Sequence, residues 1–155
     1  MSSRAMPVLT ADVLPPTSPF LLDKIRQLEE RVLGAPQVAI ETHHVLHGGV
    51  YSRTICIPRH TVLTGALIKI PTTLVICGDA TVLMGDGEEV TVQGYRVLAA
   101  SANRKQAYIA NENTFVTMSF KTKARTIAQA EAEFTDDHER LMSRNGLNHI
   151  VITGA

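Results

Sequence analysis

Tryptophan is absent from this 155-residue chain, aromatic residues make up 5% of it, and charged residues reach only 19%, below the usual share of about a quarter. So little charge predicts that some of the surface is covered by partners. Fifteen basic residues balance fifteen acidic ones, so no net field draws the chain to nucleic acid or to anionic lipid. Cysteine is scarce too. Cys56 and Cys77 lie 21 residues apart in apolar runs, with no CxxC pair and no ligand histidine nearby, and are expected to be buried reduced thiols. No apolar run approaches the roughly 18 residues that span a bilayer. The N-terminus lacks the basic-then-apolar order of a signal peptide, which predicts a protein of a reducing cytoplasm or one assembled there.

What is present suits one domain with a true core, since a chain of this size buries roughly two-thirds of its unfolded surface. Residues 1–18 carry Pro7, Pro15 and Pro16 without helical or strand periodicity and should form an extended arm. Residues 19–34 follow as a helix. Ser18 is its candidate N-cap, Pro19 occupies the first helical position and Gly34 stops it. Leu21, Ile25, Leu28 and Val32 recur on one stripe, which can pack on the chain's own core or against a partner helix.

Residues 35–121 change to a period of about two. Short runs near 37–46, 50–57, 61–69, 73–77, 79–84, 88–92, 95–99, 105–110 and 114–120 are punctuated by glycine, proline and asparagine, the pattern of a sandwich or barrel. Gly85-Asp86-Gly87 is the clearest hairpin turn. Residues 122–155 return to a helical period. Thr126 and Gln129 suggest a capping box ahead of the first helix, and Thr135 can cap a second that begins with Asp136 and Asp137. After Asn145-Gly146, Leu147 to Thr153 alternates around Ile150 and Val151 and can add a strand to its own sheet or to a neighbour's edge.

The barrel segment resembles the cupins. The likeness rests on the lead-in Ile57 to Gly65, on Gly78 and on the strand-turn-strand around Gly85, and covers about 70 residues. The fold it implies is mainly β: a small cupin-type barrel, or jelly roll, with an N-terminal arm and helix and a C-terminal helical hairpin plus terminal strand. In metal-binding cupins a His-x-His pair on one strand face, a glutamate and a later histidine hold the ion. The positions that match hold Ile68, Lys69, Thr72 and Gln106, so no metal, cofactor or catalytic residue is expected. His43 and His47 do not replace the missing set, because on a strand they lie roughly 13 Å apart; His60, His138 and His149 are isolated in sequence. GxSxG is absent, and GDGEEV is too short for a calcium loop.

The wider layout, a proline-containing arm, a helix, the lead-in Val50-Tyr51-Ser52-Arg53-Thr54 and a helical tail ending in Ile150-Val151-Ile152-Thr153-Gly154, also resembles short cupin-like proteins of tailed bacteriophages. That likeness implies a non-catalytic structural protein of a virion, in capsid, collar or tail, assembled in the host cytoplasm as a homo-oligomer with other virion proteins. Contacts would run through the arm, the stripe of Leu21, Ile25, Leu28 and Val32, and the strand around Ile150 and Val151. A second expectation is a barrel that binds a sugar or carboxylate through Arg53, Lys69, Gln106 and Tyr108, unless Arg53 and Lys69 pair outside with Glu88, Glu89 or Glu112. A metal-dependent cupin enzyme is the third.

Overall fold

The computed structural model describes residues 12–144 and 146–154; most of the expected arm, residues 1–11, lies outside them. The described part of the arm is held by the fold. Strand β1 (Val13–Leu14) pairs in parallel with Ala99 and Ala100, and Leu14 is fully buried. Helix α1 (Pro19–Leu33) begins where expected, with Ser18 Oγ accepting from the Leu21 amide at 3.1 Å. Leu21 and Ile25 are buried against Ala107, with Leu28 and Leu83 alongside. Each of these two side chains supplies about 1.5–3 kcal/mol of burial. Their packing corrects the expectation of a partner helix at Leu21 and Ile25, because the stripe covers the chain's own barrel.

The barrel comprises β2 (Thr42–His47), β3 (Val50–Ile57), β4 (Val62–Thr64), β5 (Thr72–Met84), β6 (Glu88–Ala100), β7 (Ala107–Ala110) and β8 (Thr114–Lys121). The runs expected at 73–77 and 79–84 are the two halves of β5, and those at 88–92 and 95–99 the two halves of β6. Each long strand turns a corner and serves two sheets. Residues 73–77 of β5 pair with β8, which pairs with β3 and then β2; residues 80–83 pair with β7, which pairs with β4. Two facing sheets sharing continuous strands make a cupin-like β-barrel, a jelly roll. Even-numbered residues of β5, β6 and β8 and odd-numbered residues of β3 point inward, as alternation requires.

Gly78 faces Gly94 at the corner, both at positive φ. The Gly85-Asp86-Gly87 turn closes the β5–β6 hairpin, and its Gly85 carbonyl accepts from the Ser18 amide at the start of α1. Two expected strands shrink. Residues 37–41 precede β2 without pairing as a strand, and beyond Thr64 the chain leaves the sheet, returning only in a bridge between Ile68 and Arg104.

Helix α2 (Ile127–Phe134) is capped by Thr126, while the Gln129 side chain reaches the Arg125 amide rather than the cap's own. The second helix of the expected hairpin is instead two 3₁₀ turns, His138–Arg140 and Met142–Arg144. Leu141 between them is extended and sinks into the core, and that interrupts the helix. Strand β9 (Asn148–Ile152) adds to the chain's own sheet, parallel to β2. Both cysteines are free, and Cys77 is exposed on the outer sheet face rather than buried. No described helix is long and apolar enough to cross a membrane.

The corner generates a test. A Cβ on Gly78 would stand 2.6 Å from Thr114 Oγ1 and 2.8 Å from the Asn113 carbonyl, whereas one on Gly94 meets nothing within 4 Å. Gly78→Ala is expected to cost about 2–4 kcal/mol in urea unfolding and Gly94→Ala only about 1 kcal/mol, the backbone term alone.

Candidate functional site

The space between the sheets is only partly filled. On one side Tyr51, Phe120 and Phe134 pack as an aromatic cluster, with Tyr51 and Phe134 stacked at 6.4 Å and Phe120 edge-on to both. Beyond them lies a cavity of about 590 Å³. It runs beneath the end of α1, the 35–38 linker and the 137–142 segment, and is lined mainly by apolar side chains such as Ile55, Leu63, Ile68, Leu74, Val116 and Met118.

A polar network closes one wall. Glu131, 2% exposed, receives Arg53 Nη1 at 2.8 Å, Arg144 Nε at 3.0 Å and the Ser143 hydroxyl. Arg53 also donates to Ser143 Oγ at 3.1 Å and to the Tyr51 hydroxyl at 3.4 Å. From Tyr51 the chain of bonds continues to His44 Nδ1 at 2.7 Å, and from His44 Nε2 to Asn148 Oδ1 at 2.7 Å. The Asn148 amide nitrogen donates to the Ser143 and Gly146 carbonyls, so its oxygen is the acceptor and His44 carries its proton on Nε2. Burial holds His44 below the usual histidine range, and it raises the Tyr51 phenol. A neutral His44 accepting from a neutral Tyr51 satisfies both groups. The network fastens the C-terminal segment and β9 to the barrel.

Arg104, Lys105 and Tyr108 also line the cavity. Arg104 is 1% exposed. It donates to the Ser101 carbonyl at 2.8 Å, to Thr72 Oγ1 at 2.7 Å and, at 3.5 Å, to the Ile70 carbonyl, while its Nε has no partner among the described residues. No carboxylate pairs with it among the described residues. Burial pulls its guanidinium below the usual range, though arginine stays charged. Tyr108 donates to Gln106 Oε1 at 3.1 Å, and burial pushes its phenol up to about 12. Gln106 Nε2 is buried without a partner among the described residues. Lys105 is neutralised by Glu29 at 2.8 Å.

The site residues expected from sequence therefore separate. Arg53 and Tyr108 line the cavity, and Gln106 is buried against Tyr108. Lys69 does not join them, which corrects its placement in the barrel mouth. It follows the inward-turned Ile68, points outward and holds Asp136 at 2.7 Å, keeping that carboxyl below its usual range. Arg53 pairs inside with Glu131, not outside with Glu88, Glu89 or Glu112. Of the interaction residues, Val32 lines the cavity mouth, while Ile150 and Val151 are half exposed on β9.

Sequence reasoning missed Glu131, Ser143, Arg144, His44 and Arg104. Glu131 had a readable signal. It shares the apolar face of α2 with Ile127, Ala130 and Phe134, and a carboxylate on such a face requires a buried cation. Arg104 had none, because its burial depends on the bridge to Ile68.

Glu131→Ala is expected to cost about 3–5 kcal/mol in urea unfolding, since it leaves Arg53 and Arg144 without their shared counter-charge. Near-native stability would show that the carboxylate does not anchor the C-terminal segment.

Neither a protein family model nor a curated protein matches this sequence. Among solved structures, a conserved protein of unknown function from Streptococcus pyogenes superposes with a TM-score of 0.44 at 13% identity, over 57% of this chain and 79% of that one. The Cupin_2 domain of an XRE family transcriptional regulator from Enterobacter cloacae gives 0.44 at 12% identity, over 56% of this chain and all of the other. Likenesses this distant carry no functional argument. The strand pairing itself defines the fold, a cupin-like β-barrel.

Proposed function

We propose that this chain is a non-catalytic binding module that holds a small anionic molecule with an apolar body inside its barrel. The observation that carries this reading is Arg104, a buried cation with no carboxylate partner among the described residues, on the wall of a cavity of about 590 Å³. Leaving such a charge uncompensated costs several kcal/mol even after relaxation. A ligand carboxylate offsets that cost in a medium where the attraction is strong, and a guanidinium matches its geometry. The apolar lining suits a medium-chain or aryl body, and the cavity volume falls in the usual range for small-molecule sites of about 300–1,000 Å³. Gln106 Nε2, buried beside Tyr108 without a partner among the described residues, is a second unused donor.

Decanoate is expected to raise the melting temperature well above the shift produced by decan-1-ol, and Arg104→Gln to erase the difference. A ligand at about one hundred times its Kd stabilises by about 2.7 kcal/mol, enough to read in a thermal scan. Equal shifts from acid and alcohol, or none from either, would overturn the proposal. Because the comparison uses the unaltered protein, it stands even if the Arg104 variant folds poorly.

A second reading, a structural component that self-associates, is favoured by one surface. Tyr95, Val97 and Phe115 are exposed large apolar residues, and the strand registers place them together around Cys77 and Val75 on the outer face of the larger sheet. Such a patch marks an interaction site. A bacteriophage particle is the setting that the sequence resemblance implies. Light scattering on the eluting protein should give a dimer or larger, reduced to monomer by Phe115→Asp; a monomer at high concentration would end this reading.

A further inference from the structure

The β2–β9 pairing assembles a group of side chains that neither the barrel nor its cavity uses. Glu41 and His43 alternate onto one outward face, and the register sets His149 directly opposite His43. The two imidazoles stack with centroids 4.4 Å apart. Both present Nε2 to a single carboxylate oxygen, Glu41 Oε2, which lies 3.8 Å from His43 and 3.5 Å from His149. One ligand atom from each residue lies within 4.8 Å of both others.

These spacings are too long for hydrogen bonds, which span about 2.7–3.2 Å. They are close to the separation of neighbouring ligands around a tetrahedral ion with bonds of about 2.0–2.1 Å, whose edges measure roughly 3.3–3.4 Å. We infer that Glu41, His43 and His149 form a surface site for a divalent transition ion of the zinc class. Two imidazoles and one carboxylate are a donor set that zinc accepts, leaving at least one position for water or an outside ligand. All three side chains are about half exposed, so the small rotations that bring Nε2 and Oε2 onto one ion meet little resistance.

The site bridges distant parts of the chain. Two ligands belong to β2 and the segment before it, and the third to the terminal strand β9. A bound ion therefore clamps β9 to the barrel from the outer face, while the His44–Asn148 bond holds it from the inner face.

Zinc titration by calorimetry, on the full chain freed of metal with a chelator, tests this. One saturable site is expected. His149→Ala and His43→Ala should each weaken zinc binding by more than about tenfold, since even outer partners of a ligand contribute about 10–100-fold. Glu41→Gln, which leaves β9 untouched, should also weaken it. His47→Ala should not, because His47 bonds to Thr153 and lies outside the group. In parallel, zinc should raise the melting temperature of the unaltered protein and of His47→Ala but not of His149→Ala. Absence of saturable binding, or binding that survives both His43→Ala and His149→Ala, would overturn the inference.

Discussion

Everything in this barrel is registered against one hairpin. Strands β5 and β6 pair along thirteen residues each, and their first and second halves belong to different sheets. The facing pair Gly78 and Gly94 lets both strands bend at the same level. At Gly78 the Thr114 backbone and side chain approach so closely that any Cβ would collide. Because β8 attaches before that corner and β7 after it, the glycine pair fixes how the two sheets face each other. A slip of one residue would turn Leu74, Ile76, Val82 and Val92 outward together.

That frame explains the division inside. The aromatic cluster and the Glu131 network occupy one wall because α2 delivers Phe134 and Glu131 from a single helical face. Elsewhere on the lining, Arg104 and Lys105 come from the segment that bridges to Ile68, Tyr108 from β7, and α1 supplies Glu29 to Lys105. Arg53 and Arg144 meet a carboxylate; among the described residues Arg104 meets neutral oxygens. This asymmetry gives the cavity its chemical direction, apolar along most of its length and cationic at one side. Outside, α1 covers the smaller sheet through Leu21 and Ile25, while Tyr95, Val97 and Phe115 stay exposed on the outer face of the larger sheet.

Much of the frame could be read along the chain. Helix α1 was marked by Ser18, Pro19 and its apolar stripe, and the hairpin by Gly85-Asp86-Gly87, because caps and tight turns depend on local backbone geometry. Alternation located β3 and β8 nearly to the residue for the same reason. The long strands look like four short ones in sequence, since a glycine inside a strand and a glycine ending one look alike there. Only the partners at residues 73–77 and 80–83 show that the strand continues through Gly78. The second C-terminal helix was expected from good local signals, yet the burial of Leu141 and the attachment of Ser143 and Arg144 to Glu131 overrode them.

The sequence by itself determined helix α1, the Gly85-Asp86-Gly87 hairpin and the positions of most strands, because caps, turns and alternation are properties of neighbours along the chain. Tertiary structure alone decided what the polar residues do. It sent Lys69 outward to Asp136, joined Arg53 to a glutamate 78 positions away, and left Arg104 buried without a carboxylate among the described residues. It also set His149, isolated in sequence, against His43. The physical reason is common to all four: a charge or a ligand acts over a few ångströms of space, and only strand pairing and packing decide which residues share them.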